Sequence, residues 1–239
     1  FALAASCGFE GIEASPVGDL DEAARQGALA REAGIRIHSV LYGWWRHPPL
    51  DADAPEILAG IAEMEHALQC AAAMDADAVL LVPGVVTPEM PYRRAYEQSQ
   101  RDVRRLIPLA EELGVIIALE NVWNDFLLSP LEFARYIDAF ESPWVQAYFD
   151  VANVVAFGYP QDWIRTLGDR IVKIHYKDFR KGDRAWPPLL EGDVDFAEVR
   201  KALDEIGYTD FVTAELPGGD ADYLSDVAER MGRINAGAI

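Results

Sequence analysis

Seven short β-rich runs alternate with longer amphipathic stretches along 239 residues, and four successive runs each carry one carboxylate or imidazole at the C-terminal end. These two observations predict an α/β chain of parallel strands, a (β/α)8 TIM barrel, with the first β-strand missing from this sequence. An open, doubly wound sheet is the competing architecture. The runs are Gly11–Ala14, Ile35–Leu41, Ala78–Val82, Val115–Glu120, Val145–Val151, Ile171–Tyr176 and Phe211–Leu216. Helical periodicity marks Asp19–Ala33, Pro55–Met74, Tyr92–Leu113, Pro130–Phe140, Phe196–Ile206 and Asp220–Asn235. Phe1–Gly8 reads as the end of a helix already in progress. No linker or low-complexity tract interrupts the rhythm, so residues 1–239 are expected to form a single domain, incomplete at its N-terminus.

Local signals mark the joints. Gly34, Gly114 and Gly207 each follow a helical pattern, where glycine suits a left-handed cap. Ser129-Pro130 and Asp195-Phe196 have the character of helix starts, and Asp51–Pro55 offers another.

Composition narrows the function classes. Hydrophobic residues make up 51% and charged residues 26%, enough for a packed core. No apolar run approaches the length of a membrane helix, and no signal peptide opens the sequence. Cys7 and Cys70 cannot build a disulfide framework, so a cytoplasmic location is expected. Forty acidic residues against 21 basic ones give a net charge of −19. Such a surface repels a phosphate backbone and an anionic membrane, so neither nucleic acid nor membrane is an expected partner.

The chemistry gathers at strand ends. Glu120 closes its run, Asp150 and His175 lie near the ends of theirs, and Glu215 stands near the end of the last. Side chains alternate between the faces of a strand. Val115, Ile117 and Leu119, then Ala147, Phe149 and Val151, then Val172, Ile174 and Tyr176, then Val212, Ala214 and Leu216 make one apolar face, suited to surrounding helices. Glu120, Asp150, His175 and Glu215 therefore point the other way, into the barrel mouth. Gln146, Tyr148, Lys173 and Thr213 share that interior, where Lys173 requires a carboxylate or hydroxyl partner. Taken singly, each strand-end residue is more often a solvated or structural group. Together, three carboxylates converging in a pocket of low dielectric repel one another, and a divalent cation relieves the repulsion. The oxygen-rich set suits Mn²⁺ or Mg²⁺ best, while Co²⁺ or Zn²⁺ also fits.

At this point the sequence resembles the sugar phosphate isomerase/epimerase superfamily, the xylose-isomerase-like TIM barrels. The resemblance spans nearly the whole chain. It is densest in Ala118-Leu119-Glu120-Asn121-Val122-Trp123-Asn124, Tyr148–Tyr159, Ile171–Phe179, Glu191-Gly192-Asp193-Val194-Asp195-Phe196 and Ala214-Glu215-Leu216-Pro217-Gly218-Gly219-Asp220. The ketose 3-epimerase branch is the nearest pattern. It implies one divalent metal, Mn²⁺ first, held by Glu120, Asp150, His175 and Glu215. It further implies Glu120 and Glu215 as an acid/base pair acting through a metal-stabilised enediolate on a sugar or sugar phosphate. Assembly into homo-oligomers is a further expectation from the resemblance. One departure stands out: that branch often carries His three residues beyond the Asp ligand, and here the position is Asn153.

Other reactions share such a site. A dehydratase or lyase acting on a keto-sugar or keto-inositol is the alternative, and a non-catalytic sugar-binding barrel is another. A DNA-repair endonuclease reading fails on four histidines and the charge of −19. Further candidates for substrate contact are Asn153, Lys177, Arg180, Arg184, Glu191, His38 and Trp123. Asp169–Arg184 holds six Lys or Arg against three Asp, a local +3 that would welcome a phosphate. A solvated loop compensating nearby acids is the plainer explanation of that basicity. His38 has an equal claim as a core histidine. Trp44, Trp45, Trp123 and Trp186 fall in strand-to-helix loops, suited to sugar stacking or to loop packing.

Overall fold

The computed structural model describes residues 1–44 and 53–239, with Trp44 described by its backbone alone. Asp51 and Trp45 lie outside the described residues. A short helix α1 (Ala2–Ser6) precedes β1 (Gly11–Ala14), and alternation then runs through α2 (Leu20–Glu32), β2 (Arg36–Trp44), α3 (Pro55–Met74), β3 (Ala78–Val82), α4 (Tyr92–Leu113), β4 (Ile116–Glu120), α5 (Pro130–Asp138), β5 (Val145–Asp150), α6 (Pro160–Leu167), β6 (Ile171–Tyr176), α7 (Phe196–Glu205), β7 (Val212–Ala214) and α8 (Ala221–Asn235). The strands form one parallel sheet in sequential order, each paired with its neighbours in the chain. A doubly wound sheet would reverse its order at a switch point, and this one does not.

The sheet curls back on itself. His38 of β2 stacks on Phe211 at 4.5 Å, and its Nε2 shares a 3.0 Å hydrogen bond with Thr213 of β7. Glu13 of β1 reaches His175 of β6 across the interior. The architecture is a nearly closed (β/α) barrel of seven described strands, matching an eight-stranded plan less its first strand.

Strand parity sorts the core as expected. Val79, Leu81, Ile117, Leu119, Ala147, Phe149 and Ile174 are buried in the large cluster between sheet and helices. Ala78, Leu80, Val82, Ala118 and Tyr148 form a smaller one inside the barrel. Gly34, Gly114 and Gly207 take positive φ at helix ends. Ser129 and Asp195 cap α5 and α7 by accepting from Glu132 N and Glu198 N. Two differences follow from local physics. Helix α6 escapes a periodicity test because it has only eight residues, though Pro160, Trp163, Ile164 and Leu167 bury one face. Strand β7 stops at Ala214, so Glu215 stands just beyond it, tied by its N–H to Tyr176 O at 3.0 Å.

Lys173 finds its partners at the N-terminal end of the barrel. Its Nζ lies 2.6 Å from Asp210 Oδ2 and 2.9 Å from Asp77 Oδ1, and Arg36 also pairs with Asp77. The ammonium is fully buried, while both carboxylates reach solvent. Replacing both Asp77 and Asp210 by Asn leaves an unpaired buried charge and should cost about 3 kcal/mol in chemical denaturation. Lys173→Met removes the charge itself and should cost less.

His38 is buried in this same interior. Burial, reinforced by the Lys173 ammonium, lowers its imidazole pKa to about 4. In the unfolded chain the group takes up its proton near 6.5, so between pH 6.5 and 4 the unfolded state binds more protons. Folding stability from this source is therefore full above pH 6.5 and falls by about 3 kcal/mol as the pH drops to 4. Denaturant titrations across that range should show the slope, and His38→Gln should flatten it.

Candidate active site

The C-terminal ends of β4 to β7 bring four predicted residues together. Glu120 and Asp150 end β4 and β5, His175 is the penultimate residue of β6, and Asp150 pairs in register with His175. One ligand-capable atom from each of Glu120, Asp150, His175 and Glu215 lies within 4.8 Å of all the others. The first three are buried and Glu215 is partly open.

His175 is the hub. Its Nδ1 is 3.0 Å from Glu120 Oε1 and 3.5 Å from Glu215 Oε2. Its Nε2 is 3.1 Å from Glu13 Oε2, and Glu13 Oε1 accepts from Ser39 Oγ at 3.0 Å. Burial disfavours the imidazolium, but the Glu120 and Glu13 carboxylates override it and raise the His175 pKa well above the usual range. Burial also raises Glu13, yet hydrogen bonds from His175 and Ser39 and the imidazole charge bring it below the ordinary value. Glu120 is pushed up to about 7, chiefly by burial, with His175 opposing the shift and Asp150 and Glu215 adding to it. Burial raises Asp150 as well, against the pull of Lys177.

Glu13 was not singled out from the sequence as a site residue. The available signal was a lone carboxylate inside the run Gly11-Ile12-Glu13-Ala14, at the parity that faces inward. Which histidine it would meet depends on barrel closure.

Lys177 enters the same cluster. Its Nζ lies 2.5 Å from Glu215 Oε2 and 3.3 Å from Asp150 Oδ2, the latter oxygen being buried with no hydrogen bond. Asp150 Oδ1 accepts from Asn153 N at 2.6 Å. Asn121 and Asn153 continue the β4–β5 seam with side chains: Asn121 Nδ2 donates to Asp150 O and Asn153 Nδ2 donates to Asn121 O, both at 2.9 Å. The Asn153 amide is thus committed to the rim. Trp123 Nε1 donates to Asn153 O at 2.7 Å, fixing the indole beside it.

Trp123 packs against Phe179 and Trp186, with ring centroids 5.2 and 5.1 Å away. Lys177 lies over Trp186 and Arg184 over Trp123, each 4.9 Å from the ring centroid. Arg180 pairs with Asp183 and Glu191 with Arg230 of α8, so both are engaged in loop contacts. His38 sits among the barrel-interior residues instead of joining the four-residue cluster.

Asp178 fixes the loop that carries this aromatic wall. Its carboxylate accepts from the N–H groups of Phe179, Gly192 and Val194 at 2.9, 2.9 and 3.2 Å. A Cβ at Gly192 would meet Asp178 Oδ1 at 2.2 Å.

A family model for xylose isomerase-like TIM barrels matches residues 1–234. The chain belongs to this family. It is 27% identical over 183 residues to the L-ribulose-5-phosphate 3-epimerase UlaE of Escherichia coli O1:K1, covering 74% of this chain and 63% of that protein. The UlaE protein of E. coli strain ATCC 8739 is 27% identical over 223 residues, covering 86% of this chain and 77% of its own length. Among solved structures, a D-tagatose 3-epimerase-like protein superposes with a TM-score of 0.83 at 18% identity, covering 100% of this chain and 98% of the other. An L-ribulose 3-epimerase gives 0.83 at 18% identity, covering 99% and 88%. The IOLI protein with a bound zinc atom gives 0.78 at 19% identity, covering 98% and 91%. The UlaE proteins and the two 3-epimerase structures match the ketose 3-epimerase-like branch of the family.

The Asp178 loop gives a direct check. Gly192→Ala should displace the carboxylate, lower the melting temperature and red-shift tryptophan emission as Trp186 loosens. Gly182→Ala, where an added Cβ meets nothing within 4 Å, should do neither.

Proposed function

We propose that the protein is a divalent-metal-dependent ketose 3-epimerase. The observation that carries this reading is the convergence of Glu120, Asp150, His175 and Glu215 at one barrel mouth, in a chain whose relatives include sugar 3-epimerases. The residues fit a cation. Three buried or half-buried carboxylates face one another, and Asp150 Oδ2 is buried with no hydrogen bond. The oxygen-rich set favours Mn²⁺ or Mg²⁺, and the zinc in a relative of the same fold shows that Zn²⁺ also deserves trial.

A divalent cation bound there would polarise the ketose carbonyl and steady the negative charge that develops when the neighbouring carbon loses its proton. Within the chain, Glu120 and Glu215 flank His175 Nδ1 and are the groups able to move that proton. One glutamate takes it from the carbon beside the carbonyl, and the other returns one to the opposite face, inverting the centre. Proton transfer by positioned carboxylates contributes on the order of 10²–10⁴-fold. Glu13 keeps the His175 ring fixed through Nε2, leaving Nδ1 toward the carboxylates. Trp123 and Trp186 offer apolar faces to the sugar, and Lys177 can meet its hydroxyl oxygens.

The reading is tested by deuterium wash-in. In D₂O with Mn²⁺ and a panel of ketoses, NMR should show exchange at the carbon beside the carbonyl. Glu120→Gln and Glu215→Gln should each reduce it by about 10²-fold or more. Absence of exchange with every ketose, despite metal binding, would refute the epimerase assignment.

Two further results concern the metal. Glu13→Gln should weaken Mn²⁺ binding by about 10- to 100-fold in isothermal titration. Metal uptake must displace the proton that Glu120 holds up to about pH 7 and the one that the flanking carboxylates hold on His175 to higher pH, so affinity should keep rising with pH through neutrality.

A further inference from the structure

Lys177 holds the oxygens that a cation would need. It follows His175 by two residues, just past the end of β6, and turns to the same side. Its Nζ lies 2.5 Å from Glu215 Oε2 and 3.3 Å from Asp150 Oδ2. Glu215 Oε2 is the atom that approaches His175 Nδ1, at 3.5 Å. Asp150 Oδ1 already accepts from Asn153 N, while Oδ2 is buried with no hydrogen bond. One ammonium therefore stands against the free oxygens of two of the four converging residues. An ammonium and a divalent ion repel each other and cannot share those oxygens.

Charge explains why the ammonium is held. Glu13, Glu120, Asp150 and Glu215 set four carboxylates around one imidazole. Among the described residues, Lys177 is the only lysine or arginine paired with any of them. Its side chain is 16% exposed, so water screens the pairing less than at an open surface.

A second seat lies beside the first. The Lys177 ammonium is 4.9 Å from the Trp186 ring centroid, and Trp186 is braced by Trp123 and Phe179 at 5.1 and 4.9 Å. An indole face attracts a cation through its quadrupole. Rotation about the terminal bonds of the lysine can take the ammonium off the carboxylates while it stays against the ring. We propose that Lys177 is the resident counter-cation of this site: its ammonium neutralises Asp150 and Glu215 until a divalent ion displaces it, and this exchange sets the affinity for metal. The proposal rests on the reading of Glu120, Asp150, His175 and Glu215 as metal ligands. Removing Lys177 should then tighten metal binding, whereas removing a residue that supports the site would weaken it.

Isothermal titration with MnCl₂ tests the exchange on the parent protein, Lys177→Met, Lys177→Arg and Lys181→Met. Lys177→Met should bind Mn²⁺ about tenfold more tightly or better. Without metal it should melt below the parent, and saturating Mn²⁺ should narrow the gap. Lys177→Arg keeps the charge and should stay within about threefold of the parent. Lys181, whose ammonium lies over Tyr159, removes a like charge from the same loop; Lys181→Met should change affinity by about twofold at most. A readout on the parent protein alone is acetylation by an amine-reactive ester, followed residue by residue by mass spectrometry. Lys177 should label severalfold faster with Mn²⁺ than with EDTA, relative to Lys181. Unchanged or weaker Mn²⁺ binding in Lys177→Met, an equal gain in Lys181→Met, or Lys177 labelling indifferent to Mn²⁺ would overturn the proposal while leaving the four-residue site standing. Failure of both the parent and Lys177→Met to bind Mn²⁺ would remove the site and the proposal together. Tighter binding in Lys177→Met without deuterium exchange in any ketose would uphold the proposal and refute the epimerase reading.

Discussion

Everything at the mouth of this barrel turns on the crowding of carboxylates around one buried imidazole. Glu120, Asp150 and Glu215 converge with His175, while Glu13 approaches the far side of the same ring. Like charges this close cannot all persist in a low dielectric without compensation. The site answers with the His175 proton, with Lys177 against Asp150 and Glu215, and with a proton held on Glu120. A divalent cation satisfies the same demand with one ion, which is why the arrangement suits metal-assisted proton transfer. The surrounding fold is organised to hold this tension. Parallel strands deliver one group each, the Asn121–Asn153 seam braces the rim, and the Asp178 nest fixes the aromatic wall beside it.

The barrel separates two polar zones. At the mouth, buried groups are arranged for chemistry. At the opposite end, Lys173 is matched by Asp77 and Asp210, and His38 is kept neutral beside it. The second zone stabilises the closure of the sheet, because its partners come from the starts of β3, β6 and β7. The two zones are linked by side chains within the barrel: Glu13 to Ser39, and Thr213 to His38. Sidedness of this kind is general for such barrels, with stability at the N-terminal face and chemistry at the C-terminal face.

Much of this is legible in the sequence. Glu120, Asp150 and His175 end strands whose alternation is unambiguous, so parity alone turned them inward. Helix caps at Ser129 and Asp195, and glycines at 34, 114 and 207, carry their conformation in their own chemistry. What was hidden depends on closure of the chain in space. Lys173 needed a partner, but nothing in sequence singles out Asp77 and Asp210, which lie 96 residues before it and 37 after it. Glu13 acquires meaning only when β1 curls round to face β6. Helix α6 was missed because eight residues give too short a period, and the Asp178 nest because its donors lie up to 16 residues away in an irregular loop. His38 could be read equally as a core histidine or a pocket residue; its stack on Phe211 and bond to Thr213 place it among the interior contacts.

Four side chains are proposed to make one cation site. Crystals of the protein soaked in Mn²⁺ and measured near the manganese absorption edge test it most directly. A single strong anomalous peak bounded by Glu120, Asp150, His175 and Glu215 is expected, with Lys177 turned away from it and Glu13 still on His175 Nε2. A well-ordered mouth without a peak, or a peak ligated by other residues, would contradict it.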